Sequence, residues 1–308
     1  MARPQISCVT TLYSSERYVE EFVKRMSAAV GNLTDRYEII LVDDGSPDNS
    51  LQVARSLSKD YPCRIVELSR NFGHHPAILA GLSQAQGEYI FLIDSDLEEQ
   101  PELIETFWEH REGVDVVFGV HDRNGKSLFN RVSGNLFWGL ISAASNVRIE
   151  RNIANVRLMK RKYVQALLSM PDRNVFLGGM FAWPGFKQIS VPIVRVERSE
   201  SSYSLAKRFR LAFVAAVSFS IRPLLSVFFV GIFITVLSLL FAGFMVLRKI
   251  LDPGSVLSGF TSLMISIWFL GGLIMGSIGV VGFYIAHIYD QARERPRFII
   301  RDIHEGGE

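Results

Sequence analysis

The sequence predicts an α/β protein: a mostly parallel, doubly wound sheet within residues 1–204, followed by a hairpin of two membrane-spanning helices. Three observations predict it. Short β-prone runs alternate with helical patterns from Ile6 to Val120, the order that gives parallel strands with helices on both faces. Acidic residues, Asp43-Asp44 and Asp94-Ser95-Asp96, fall where the second and fourth of those runs end, on the edge at which such sheets take ligands. Two long uncharged runs fill the last third and raise the mean hydropathy to +0.21.

Taken in order, Ile6–Leu12 reads as the first strand. Ser14-Ser15-Glu16 then leads into Tyr18, Phe22, Val23, Met26 and Val30 at helical spacing, with a serine as the expected helix start. Tyr37–Val42 is the second strand, and Ser46 is placed to cap a helix with Pro47 at its first position. Arg64–Leu68 is the third strand and runs into the polar loop Ser69-Arg70-Asn71-Phe72-Gly73-His74-His75. A helix over Pro76–Gln84, a strand over Tyr89–Ile93, a helix opening at Pro101 and a fifth strand over Val114–Val120 follow. Beyond them the pattern weakens. Phe137–Ile141 reads as helix, and Met180–Trp183 and Ser190–Val196 read as strand.

Asp94 and Asp96 are spaced i, i+2, which on extended chain puts both side chains on one face. Two carboxylates so placed suit a hard cation, Mg²⁺ or Mn²⁺, bound together with substrate phosphates; the alternative is a strand end with two solvated acids. No Gly-x-Gly-x-x-Gly follows the first strand and no Gly-x4-Gly-Lys-Ser/Thr occurs, so a nucleotide site here would use acids and a metal instead of a glycine cradle. The chain has 308 residues, with 33 Lys and Arg against 31 Asp and Glu. The net charge of +2 gives no electrostatic case for nucleic acid as a partner. Cys8 and Cys63 are the only cysteines, so no disulfide framework is expected and a reducing compartment fits. Met-Ala-Arg-Pro-Gln opens directly into the first strand, and no cleavable signal peptide is expected.

Leu224–Leu247 is a run of 24 uncharged residues and Gly259–Ile285 one of 27. Each is long enough to cross a hydrocarbon core of about 30 Å. The spans are expected at 224–247 and 259–286, within a membrane region at 223–288. Gly272 and Gly276 make a small-xxx-small pattern suited to close helix contact, so a homo-oligomer is a further expectation. Lys207, Arg208, Arg210 and Arg222 precede the pair, and Arg293, Arg295, Arg297 and Arg301 follow it. Basic flanks place the first domain, both termini and a basic tail at 289–308 in the cytoplasm. Residues 205–222 mix basic and apolar side chains and are expected to lie along the membrane surface.

Val42-Asp43-Asp44-Gly45-Ser46, Ser69-Arg70-Asn71-Phe72-Gly73-His74, Asp94-Ser95-Asp96-Leu97 with Pro101-Glu102, and Arg157-Leu158-Met159, in this order, resemble the family 2 glycosyltransferases of GT-A fold. Within them the chain resembles the polyprenyl-phosphate glycosyltransferases, those related to dolichol-phosphate mannose synthase and, through its membrane hairpin, the bactoprenol glucosyltransferase type. The resemblance implies that Thr11, Tyr13 and Glu16 meet the nucleobase, that Asp43 and Asp44 hold the nucleoside, and that Gly73, His74, Asp94 and Ser95 complete a nucleotide-sugar site. It implies that Asp94 and Asp96 hold the metal and diphosphate, and that Arg131 stands near the phosphates. The chain departs from the family where Asp-Phe-Arg becomes Asn155-Val156-Arg157 and where Gly-x-Ser-Lys-Tyr becomes Ser199-Glu200-Ser201-Ser202-Tyr203.

Asn155 cannot take a proton, but the implied nucleophile does not need a base. A lipid phosphate is already anionic at neutral pH, its second pKa being about 6. Arginine forks suit phosphate, and Arg123, Arg131 and Arg198, with Tyr203 and Lys207, are the candidates for the acceptor phosphate. The expected reaction is inverting transfer of a hexose, glucose from UDP-glucose, to an undecaprenyl-type phosphate. Mannose from GDP-mannose, an amino sugar, and a catalytically silent nucleotide-binding anchor are the alternatives. A processive polysaccharide synthase is disfavoured by the absence of Gln-x-x-Arg-Trp and by only two spans.

Overall fold

The structure, a computed structural model, describes residues 3–121, 153–172, 177–194 and 260–305, with isolated positions between 227 and 251. Arg123, Arg131, Arg198, Tyr203 and Lys207 lie outside the described residues, as do the helix expected at 137–141, the region 205–222 and most of the first apolar run. The chain divides into two units, one of residues 1–138, 147–203 and 295–308, the other of residues 139–146 and 204–294.

The first unit is built on one sheet. Its strands are β1 (Ile6–Leu12), β2 (Tyr37–Asp43), β3 (Cys63–Leu68), β4 (Tyr89–Leu92), β5 (Val116–His121), β6 (Ile153–Lys160), β7 (Gln188–Ile193) and β8 (Ile300–Glu305). The order across the sheet is β7-β5-β6-β4-β1-β2-β3-β8. β6 and β8 run against the other six strands. The mostly parallel α/β architecture expected from the alternation is therefore observed. Helices α1 (Val19–Gly31), α2 (Ser50–Leu57), α3 (His74–Gln84), α4 (Leu103–Glu109), α5 (Arg161–Leu168) and α6 (Leu177–Ala182) belong to the same unit.

The central strands are apolar on both sides because both faces are covered. Along β2, Ile39 and Leu41 join one core cluster with Phe22 and Met26 of α1, while Ile40 and Val42 join another with Ile78 and Leu79 of α3. Phe22, Val23, Met26 and Val30 all face inward, as their spacing predicts.

Several expectations need correction. No serine caps α1: its N-cap is Tyr18 without a side-chain bond, and Ser15 supplies only its carbonyl, to the amides of Tyr18 and Val19. Ser46 and Pro47 do not open α2, which begins at Ser50. Asp43 binds the Ser46 amide and the Ser46 hydroxyl donates to the Leu12 carbonyl, so those groups are spent on the turn. Met180–Trp183 is not a strand, because Leu177–Ala182 is helical. A four-residue apolar run does not separate the two states, and Pro184 with Gly185 at φ +66° ends the turn instead. Within the region expected as a basic tail, 289–308, the segment Ile300–Glu305 is a strand, and β8 pairs antiparallel with β3.

In the second unit, α7 (Phe260–Ala292) runs 33 residues. It continues past residue 286, and an 18-residue stretch within Phe269–Ala292 has a mean hydropathy of 1.9 and is wholly unburied. Among the described residues this is the one helix long and apolar enough to cross a membrane.

Candidate active site at the carboxyl edge of the sheet

Strand register brings the acidic motifs together. β1 and β2 align Leu12 with Asp43, and β1 and β4 align Val9 with Leu92, so Thr11, Asp43 and the residues after Leu92 share one sheet edge. β6 arrives antiparallel, with Leu92 opposite Arg157. Carried two residues further, that register sets Asp94 against Asn155.

Asp94 is the centre of the resulting cluster. Its Oδ2 accepts from Asn155 Nδ2 at 3.1 Å, and its Oδ1 lies 3.5 Å from His74 Nε2. Asn155 Nδ2 is also 3.2 Å from His74 Nε2, and His74 Nδ1 is 3.2 Å from the Thr11 hydroxyl. Asp94 Oδ1 is buried without a hydrogen-bond partner among the described residues. A buried carboxylate oxygen left unpaired costs free energy unless something else meets it.

β4 ends at Leu92 and a turn begins at Ser95, so Asp96 sits in that turn and the pair does not lie on the continuous strand whose geometry the i, i+2 argument used. That turn takes Leu97 to φ +59°, and Asp96 Oδ1 accepts from the Glu98 amide at 2.9 Å. Ser95 points inward: its hydroxyl donates to the Thr11 carbonyl at 2.9 Å and to Ser15 Oγ at 3.3 Å. It joins the β4 turn to the end of β1, and its side chain is committed there.

The fit of a divalent cation can be tested on these groups. Among the described residues no cluster of three or more His, Cys, Asp or Glu could hold a metal. The described residues offer Asp94, whose Oδ1 makes no hydrogen bond and lies 3.5 Å from His74 Nε2, and Asp96. Mg²⁺ is characteristically held by one or two carboxylates and completed by phosphates and water, so the residues fit.

Asp43 and Asp44 organise loops. Asp44 accepts from the amides of Phe72 at 2.7 Å and Gly73 at 2.9 Å, which fixes the Ser69–His74 loop to the end of β2. Asp43 accepts from the amides of Gly45 and Ser46. Both are nearly inaccessible, and burial pushes both carboxyls above the usual carboxylate range against the pull of those bonds. Glu16 is also committed: it accepts from the Asn49 amide and side chain, while the Glu16 amide donates to Asp48. Tyr13 is different: the residue is 53% exposed beside the edge, as a stacking surface needs.

Two features escaped sequence reasoning. Asn155 stands out there only as a lost carboxylate, because its bond to Asp94 depends on the antiparallel placement of β6. Arg157 is 2% exposed in the same strand. Its guanidinium lies 3.3 Å from the Phe181 ring centroid and donates to the carbonyls of Asn155 and Ala154. Burial lowers it to about 10, which leaves it a cation at neutral pH.

A family model, Glycosyl transferase family 2, matches residues 7–170. Across nearly the whole chain there are close relatives. A protein described as putative glycosyltransferases from Mycobacterium tuberculosis is 37% identical over 97% of this chain and 88% of its own length. The SfII prophage-derived bactoprenol glucosyl transferase of Shigella flexneri is 32% identical over 98% of this chain and 99% of its own. The prophage bactoprenol glucosyl transferase homolog of Escherichia coli is 33% identical over 97% and 99%. With more than half of the chain matched by the model and relatives at this identity over nearly its full length, the chain belongs to glycosyl transferase family 2.

Proposed function

We propose that this protein transfers a hexose, glucose from UDP-glucose, to an undecaprenyl-type phosphate at the cytoplasmic face of a membrane. The observation that carries the reading is Asp94: a partly exposed carboxylate with one oxygen oriented by Asn155 and the other in no hydrogen bond, 3.5 Å from His74 Nε2, at the sheet edge beside the exposed Tyr13. A metal–diphosphate donor suits such a group. The names of the relatives support a lipid carrier as acceptor and glucose as the sugar.

Mg²⁺ or Mn²⁺, when bound, would act as a Lewis acid on the leaving diphosphate. Asp94 and Asp96 would hold it, Tyr13 would stack on the base, and the loop tied to Asp44 would carry Gly73 and His74 to the donor. No group among the described residues needs to serve as a strong base, since the phosphate nucleophile is already ionised. Arg123, Arg131 and Arg198, with Tyr203 and Lys207, remain the proposed acceptor-phosphate contacts.

The last strand supports the two-span arrangement. β8 pairs with β3, which precedes both apolar runs. An odd number of crossings between residues 194 and 300 would leave these two strands on opposite sides of a membrane. One crossing by α7 therefore calls for a second, which the run 224–247 can supply. The Gly272–Gly276 face is the proposed site of self-association.

The test is a transfer assay in bilayers with polyprenyl phosphate, a divalent cation and a panel of labelled nucleotide sugars. Metal-dependent label extractable into organic solvent from UDP-glucose is the expected result. Label from another donor alone would overturn the sugar, and no label from any donor would overturn the reaction.

A further inference from the structure

The Ser69–His74 loop is gripped from two sides, and only one grip comes from the neighbouring sequence motif. On the β2 side, Asp44 binds the amides of Phe72 and Gly73. The other side is held by the segment that leaves α7. The Ser69 amide donates to the Ile299 carbonyl at 2.9 Å. Arg301 donates through one nitrogen to the Ser69 carbonyl at 2.8 Å and through another to Glu67 at 2.9 Å. Both backbone polar groups of Ser69, the first residue of the loop, are thus satisfied by β8 and the residue that leads into it.

The pairing is shaped for this contact. Glu67 lies opposite Asp302 and Leu68 opposite Ile300, so Arg301 is the extra residue of a bulge. A bulge interrupts a ladder and re-aims one side chain; here that side chain reaches the end of β3. Phe298 and Ile300 also pack with Phe72 against the same core cluster. The arrangement is anchored further back by Glu67, itself 7% exposed, which Arg55 also binds at 2.8 Å.

We propose that β8, with Ile299 just before it, is a positioning element for the donor site: Ile299 and Arg301 hold Ser69, and so set the Ser69–His74 loop against Asp44 with Gly73 and His74 facing the donor. This inference rests on the reading of that loop as part of a nucleotide-sugar site. It makes Arg301 a positioning residue and ties the geometry of the site to the chain that returns from the membrane segment.

Arg55 supplies the control. It binds the same Glu67 and also His304 of β8 at 2.7 Å, but no bond joins it to Ser69 among those described. Arg301→Ala and Arg55→Ala should therefore both lower thermal stability, while only Arg301→Ala loosens the loop. Two readouts separate them in the full-length protein in bilayers. Hydrogen exchange at the Phe72 and Gly73 amides should accelerate in Arg301→Ala and stay at the parental rate in Arg55→Ala. The donor KM should rise on the order of tenfold in Arg301→Ala, the scale of one charge-assisted hydrogen bond, with kcat changed less. Arg301→Lys, which can hold one of the two acceptors, should recover part of the KM. Unchanged exchange at Phe72 and Gly73 in Arg301→Ala, or an equal KM rise in Arg55→Ala, would overturn the proposal. A parent protein that transfers no sugar would instead overturn the proposed function, and the exchange rates would still decide the role of β8.

Discussion

Asp94→Asn removes one charge and leaves shape almost unchanged, so its effect can be worked from the contacts. The new amide has two orientations. In one, its oxygen keeps the bond from Asn155, and an NH₂ replaces Oδ1, aiming protons toward His74 Nε2, 3.5 Å from that oxygen, and to where a cation would sit. In the other, two NH₂ groups face each other at the present 3.1 Å separation, and the Asn155 bond is lost. Loss of a hydrogen bond to a charged acceptor costs about 1.5–3 kcal/mol. Loss of a preorganised group that stabilises developing charge costs about 2.7–4 kcal/mol in comparable sites. The expected penalty on kcat/KM is therefore about 3–4 kcal/mol, roughly a hundredfold to a thousandfold. Asn155→Ala keeps the charge and removes only its orientation, so it should cost on the order of tenfold. The assay is label transferred from nucleotide sugar to extractable polyprenyl phosphate, repeated across a divalent-metal titration. Asp94→Asn activity within tenfold of the parent, with the same metal dependence, would refute the reasoning.

Other residues give independent tests. Gly45 has φ +67°, and a Cβ there would stand 2.9 Å from the Asn71 amide nitrogen; Gly45→Ala should cost about 2 kcal/mol from backbone strain alone and raise the donor KM by displacing the loop, as unfolding and kinetic measurements would register. Burial raises the Asp44 carboxyl; an acid with a raised folded pKa binds more protons in the native state, so its contribution to stability declines as pH rises from about 4 through the folded value. Asp44→Asn should remove that decline in unfolding midpoints measured from pH 4 upward, while lowering stability overall by about 1–3 kcal/mol because an amide oxygen replaces one of two acceptors. Cys8 and Cys63 are buried, and burial pushes the Cys63 thiol up to about 12 and Cys8 higher still. A maleimide at neutral pH should label neither in the native protein and both in denaturant, read by mass spectrometry.

The alternation of strands and helices was legible because the first four strands are buried on both faces and read as short apolar runs between turns. Asp94 and Asp96 were legible as a pair, although the turn at Asp96 was not, since the strand stops at Leu92. Glu16 is expected at the nucleobase; that it also binds Asn49, a contact across 33 positions, spacing does not reveal. β6 was hidden because Arg157 interrupts its apolar pattern, and a buried arginine over a phenylalanine ring is a tertiary arrangement. β8 was hidden because basic residues after a long apolar run read as a tail; an edge strand tolerates such charges.

β8 also sets a timetable. It joins β3 across 232 positions, from Leu68 to Ile300. At about 5–20 residues per second of synthesis, that distance is roughly 12–46 s of chain growth. During that interval β3 is made but its outer ladder has no partner, and an open ladder invites pairing with other chains. The sheet closes only after both apolar segments have left the ribosome, so a chain that stalls within them carries an unfinished edge.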